Sequence, residues 1–171
     1  FSFINIENVE LENIQLSYID QSLKLQAEVR DLTAQFSGKM ISDTIDTQMN
    51  VSKGKLSLTY EGENYLHNAS VTIQTPARVV LSKQMMEFGK SELSVNNMGL
   101  AFDGTVQNDA LTGQIITDIN YQSKLLPLAE MLALVPSSYQ SYLKGVVADG
   151  FVSSDGKIKG AYTDSLMPLL D

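Results

Sequence analysis

Apolar and polar residues alternate along most of this chain. The alternation is longest in LKLQAEVRDLTAQFSGKM, which begins at Leu23. Leu23, Leu25, Ala27 and Val29 fall on one side of an extended strand; Leu32, Ala34, Phe36 and Met40 join them only if one residue is skipped at Arg30–Asp31. Period two is the pattern of a strand with one covered face. From Leu23 to Phe36 such a strand would reach about 45 Å at about 3.3 Å per residue, well beyond ordinary strand length. The slip therefore predicts a β-bulge, an extra residue that bends the strand and restores the apolar side. Two strands joined at that point are the alternative, although no Gly or Pro supports a turn there.

Similar alternation runs through the rest of the chain. Ile14, Leu16 and Tyr18 predict a short strand ending near Asp20–Ser22; Ile45, Met49 and Val51 lead to an expected Lys53–Gly54 turn, after which Leu56, Leu58 and Tyr60 resume. Pro76 removes a ladder donor and so marks an edge, a bulge or a break. A hairpin is expected at Asn96–Asn97, and a strand pair, Val146–Val152 and Ile158–Tyr162, around Ser154–Gly156. SKQMMEFG fits either a helical turn or a loop. QLSYIDQSLKL, SLTYEGENYL and ELSVNNMGLAF repeat weakly, as hairpins added to a growing sheet would.

The texture changes once. Between Leu125 and Val135 only Pro127 and Glu130 are not apolar or alanine, which predicts a helix with Pro127 in its first turn; after Pro136 a second short helix begins at Ser137 or Ser138 and closes at Gly145. The expected architecture is mainly β: a curved or partly closed antiparallel sheet of about ten strands with one short helical hairpin, the apolar insert spanning residues 123–144. The apolar helix either caps an open end of the sheet or touches lipid.

The chain's 171 residues suit a single domain, 1–171, expected to be a fragment of a longer envelope protein. Without cysteine, neither disulfides nor a thiolate metal site enters the account. Twelve Lys and Arg against 20 Asp and Glu give a net charge of −8, with the basic residues scattered singly, which argues against nucleic acid and anionic headgroups as partners. Hydrophobic contact with acyl chains is untouched by that argument.

Candidate chemistry is sparse. His67 is the only histidine and stands in NYLHNAS, which reads as an ordinary surface or hydrogen-bonded residue. The acids Glu7, Glu10, Glu12, Asp43 and Asp46 lack calcium-loop spacing. No phosphate loop, G-x-S-x-G elbow or dinucleotide fingerprint occurs in the chain. The triplets at Asn50 and Asn68 match a glycosylation acceptor, which matters only in a eukaryotic secreted protein. No catalytic residue, metal ligand or cofactor is expected.

FGKSELSVNNMGLAFDGTVQN resembles a recurring phrase of AsmA-family envelope proteins, with Gly89, Ser91, Glu92, Gly104 and Asn108 at the corresponding positions. LAEMLALVPSSYQSYLKGVVADGFVSSDGKIKG is similar to a later segment of that family through Pro136, Gly145 and Gly160, and NVELENIQLSY extends the likeness toward the start. The chain departs from the family in showing no membrane anchor and fewer repeats. The resemblance implies a noncatalytic periplasmic segment of a Gram-negative protein anchored in the inner membrane outside this stretch. Its function would be outer-membrane homeostasis or lipid transport through an apolar β groove of the TamB-like kind. Phospholipid or another lipid, and envelope proteins, are the expected partners.

Leu23, Leu25, Ala27, Val29, Leu32, Ala34 and Phe36, with Leu128 and Leu132 of the helix, are the residues expected to face lipid or line a core. The alternative is a structural or protein-binding module whose apolar face is its own closed core.

Overall fold

A computed structural model describes residues 3–22, 24–132, 135, 137–162 and 169–170. The chain runs through β1 (Phe3–Asp20), β2 (Leu25–Ile41), β3 (Thr44–Tyr60), β4 (Glu63–Val80), β5 (Met85–Val95), β6 (Met98–Asn108), β7 (Ile115–Ser123) and β8 (Leu126–Pro127). It continues through α1 (Leu128–Leu132), α2 (Ser137–Gln140), β9 (Phe151–Val152), β10 (Asp155–Tyr162) and β11 (Leu169–Leu170). Nine strands form one antiparallel sheet in the order β1-β2-β3-β4-β5-β6-β7-β10-β11, while β8 pairs with β9. The large antiparallel sheet matches the expected class. Among the described residues β1 and β11 do not meet, so the sheet ends in two edges.

Strand length divides the sheet. β1 to β4 have 17 or 18 residues each, β5 and β6 have 11, β7 has 9 and β10 has 8. The short connections follow from turn chemistry. At Glu61–Gly62 both residues have positive φ, 50° and 84°, which Gly accepts without cost and which suits the twist of a tight hairpin. At Asn96 the φ of 52° is tolerated by Asn, and its side-chain oxygen accepts the Ser70 backbone N–H at 2.9 Å. The three weakly repeated segments are the final parts of β1, β3 and β5 with the hairpins that follow, as a growing meander requires.

The slip at Arg30–Asp31 is a bulge within one continuous strand. Asp31 has φ 52°, the register against β3 shifts between Arg30 and Thr33, and Val29 and Leu32 pair with Leu16 and Ile14 on β1. The bulge belongs to a row. Asn13 in β1 (φ 53°) and Asn68 in β4 (φ 48°) are its counterparts, and β3 shifts register between Val51 and Lys55 at the same level. Asn and Asp recur here because they enter the left-handed region at least cost.

Several expectations are corrected. Lys53–Gly54 is not a turn: β3 passes straight through it, and Gly54 is buried in the bulge, where a Cβ would lie 2.9 Å from Val71 Cγ1. The first strand is not confined to Ile14–Tyr18 but extends from Phe3 to Asp20 through its bulges. Val146–Val152 does not pair with Ile158–Tyr162; instead Phe151–Val152 pairs with β8, and β10 pairs with β7. The first helix has five residues rather than the whole of Leu125–Val135, because Leu126 and Pro127 are drawn into strand pairing before it; Ala133, Leu134 and Pro136 lie outside the described residues. SKQMMEFG becomes a single 3-10 turn over Leu81–Lys83 followed by strand. Pro76 sits inside β4 where the register against β5 shifts between Gln74 and Ala77, the bulge among the three options it allowed.

A candidate apolar surface

Cross-strand partners share a face in an antiparallel sheet, so register alone defines the surface. One row passes from Leu11 to Ala34, Val51, Ile73, Leu93 and Leu100. A second passes from Leu16 to Val29, Leu56 and Ala69. In the short-strand half a third joins Phe88 to Gly104, Ile119 and Ile158. These rows make one apolar face continuous from β1 to β10.

Two clusters are buried on it. Leu32, Ala34 and Val51 pack with Ile14, Val29, Met49 and Ile73 at their borders; Ala69, Val71 and Val95 pack with Leu56, Leu66, Leu93 and Met98. The rings of Phe88 and Phe102 meet edge to face at 5.8 Å between centroids. A buried polar pair interrupts the face: the hydroxyls of Thr75 and Ser91 lie 2.7 Å apart, and the Ser91 hydroxyl also donates to the Gly89 carbonyl at 2.8 Å.

The opposite face is polar and tied together across strands. Arg78 Nε donates to Asp46 Oδ1 at 2.6 Å, Gln35 to Glu10 at 3.1 Å, and Lys55 Nζ to the Ser70 hydroxyl at 2.7 Å. Lys157 and Lys159 reach the two oxygens of Asp118 at 2.6 and 3.2 Å. The hydrogen bonds from Lys157 and then Lys159 hold the Asp118 carboxyl below its usual range, as Arg78 does for Asp46 and Arg30 for Glu28. A hollow of about 770 Å³ on β5, β6, β7 and β10 is lined by polar residues, among them Lys90, Glu92, Asp103, Asn120 and Lys157, together with Ala101, Phe102 and Tyr121.

Of the residues expected on the apolar surface, Leu25, Ala27, Val29, Leu32, Ala34 and Phe36 do share one face of β2; Leu32 and Ala34 are buried and the other four half-buried. Leu23 lies outside the described residues. Leu128 and Leu132 are half-buried in a helical segment that leaves the sheet beside Gly99, whose carbonyl accepts the Lys124 N–H at 2.8 Å; α2 then comes against β4. Sequence reasoning left out the larger share of the face, which lies on β3 to β7, and the Thr75–Ser91 pair. Those positions alternate as regularly as β2, but their alternation is broken at Pro76 and Gly89.

His67 is exposed on β4 with Nε2 3.3 Å from the Asn68 amide nitrogen. Among the described residues no three His, Asp or Glu side chains gather in a way that could hold a metal ion. No family model, curated protein or solved structure matches this chain.

Proposed function

We propose that this chain is a noncatalytic, periplasmic, AsmA-like β domain of a Gram-negative envelope, and that its apolar face curves to receive the acyl chains of phospholipid or another lipid. The observation that carries the proposal is the continuity of the apolar rows across eight paired strands, set against a polar reverse side. The row of bulges at Asn13, Asp31, Gly54 and Asn68 supports curvature, since each extra residue bends its strand. The likeness of the Gly89–Asn108 and Leu128–Gly160 segments to AsmA-family phrases supports the family and the compartment.

The mechanism is passive: acyl chains leave water against half-buried leucines, valines and phenylalanines at roughly 25 cal/mol per Å2, while the charged face stays hydrated. The long strands β1 to β4 offer acyl chains the greatest length of that face. Lipid extraction and mass spectrometry of protein purified from its native envelope is the test. Stoichiometric phospholipid is expected; protein that is consistently empty would contradict the proposal.

The second reading is a protein-binding module. In it the apolar face is the chain's own core, a reading favoured by the buried clusters around Val51 and Val71.

A further inference from the structure

The segment between β7 and β10 carries an apolar patch of its own. It leaves one strand and returns to that strand's partner, so the sheet fixes its position at both ends. Within it α2 runs into a 3-10 turn, Ser141–Leu143, and the Val146 N–H closes a further turn onto the Leu143 carbonyl at 2.9 Å. Side chains three residues apart on such turns lie on one side. Tyr139 and Tyr142 are so spaced and are 55% and 82% exposed; Val147, just beyond them, is 94% exposed. The inner side of the segment is occupied separately, since Ala129, Leu132, Leu143, Val146 and Ala148 line a small hollow of about 320 Å³. Tyr139, Tyr142 and Val147 do not line that hollow and form an outer surface.

The charges beside this surface come as one of each sign. Lys144 stands between Tyr142 and Val146, and Asp149 two residues beyond Val147; among the described residues neither forms an ion pair. Asp149 accepts the Gly150 backbone N–H at 2.8 Å. An ammonium and a carboxylate side by side complement a zwitterionic headgroup, meeting its phosphate and its amine in turn. The tyrosines suit the same boundary, because a ring that favours hydrocarbon carries a hydroxyl that favours water. An anionic surface is disfavoured by the chain's net charge of −8. Residues 146–149 have no regular secondary structure, so their backbone groups need water and the contact has to be shallow.

We propose that Tyr139, Tyr142 and Val147, bordered by Lys144 and Asp149, dock on a bilayer of zwitterionic phospholipid, their side chains reaching the headgroups and the upper acyl level. The segment departs beside Gly99, next to the Leu100–Ser123 pair that ends one apolar row, so docking brings the bilayer to an end of the apolar face. The inference deepens the lipid reading and rests on it for its purpose, while its observations are separate.

The test uses the whole chain and phosphatidylcholine vesicles. The chain contains no tryptophan, so Tyr142→Trp supplies a single reporter. Flotation with the vesicles and a blue shift of the Trp emission are expected, with stronger quenching by phospholipid brominated near the headgroup end of its acyl chains than near the methyl end. Tyr142→Asp and Val147→Asp, each at a largely exposed position, should fold as the parent does and weaken flotation at least about tenfold. Leu111→Asp, at a leucine 96% exposed in the turn at the other end of β6 and β7, should leave flotation unchanged. Replacing about a third of the lipid by phosphatidylglycerol should weaken it. Equal flotation of Val147→Asp and the parent, an equal loss from Leu111→Asp, or flotation that grows with phosphatidylglycerol would overturn the proposal. So would absence of flotation by the parent, which would make a protein the occupant. A chain that floats with vesicles yet carries no extractable lipid keeps this inference and removes the lipid reading; a lipid-loaded chain that does not float does the reverse.

Discussion

The two halves of the sheet solve the same problem differently. In β1 to β4, strands of 17 or 18 residues hold their pairing only by shifting register, at three places between β1 and β2 and three between β3 and β4. From β6 to β7 and from β7 to β10, strands of 8 to 11 residues pair without a single shift. Strand twist accumulates with length, so a long ladder needs extra residues to keep both its hydrogen bonds and its apolar face in phase. A short ladder does not. There the close approach of backbones is handled instead by a single glycine, Gly104, with φ 140°, where a Cβ would fall onto the Asp118 carbonyl and lie 2.7 Å from Ile119 Cα.

The largest expected effect comes from removing the device of the long half. Deleting Asp31 leaves the apolar residues of β2 in strict alternation but removes the extra residue that matches the bulges of β1 and β3, so one half of β2 must slip by one residue against both neighbours and the packing of Leu32, Ala34 and Val51 is lost. A loss of about 4–6 kcal/mol in denaturant unfolding, or failure to fold, is expected. Asp31→Gly, which keeps the bulge and suits its φ of 52°, should change stability by less than about 1 kcal/mol. In the short half Gly104→Val should cost about 3–5 kcal/mol, since it combines a forbidden backbone conformation with a clash against neighbouring main chain. Leu32→Ala, which opens a cavity without altering phase, should cost about 2–4 kcal/mol by the same measurement.

The smallest effect is electrostatic and belongs to the short half. Asp118 is held below its ordinary pKa by Lys157 and Lys159, so its contribution is present above the usual carboxylate range near about 4 and is lost as pH falls through and below that range. Asp118→Asn should flatten part of the acid limb of a thermal-stability profile while leaving neutral-pH unfolding cooperative. A flat difference between variant and parent across that range would remove the pair from the account.

Much of the long half was legible from residue order. The bulge at Asp31 followed from a phase slip without Gly or Pro, because a strand that must keep one face covered has few other remedies. The slip at Lys53–Gly54 has the same cause, yet it read as a turn, since Gly is the ordinary signal of one. Only the buried contact with Val71 shows why Gly stands there. The helix was overestimated for a related reason: a run of Leu and Ala has helical texture, but strand pairing by Leu126 and Pro127 takes the start of that run. The pairing of β10 with β7 across the helical segment was hidden because sequence favours the nearest strand as partner.

The proposed contact with hydrocarbon falls on the apolar side of the long-strand half. The chain has no cysteine, so single cysteines can be placed at Met49 and at its neighbour Gln48, which point to opposite faces of β3, and labelled with a fluorophore. Quenching by a bromine-substituted fatty acid is the most direct measurement. Strong quenching from Met49→Cys with little from Gln48→Cys is the predicted result; equal quenching from both, or none from either, would contradict the account.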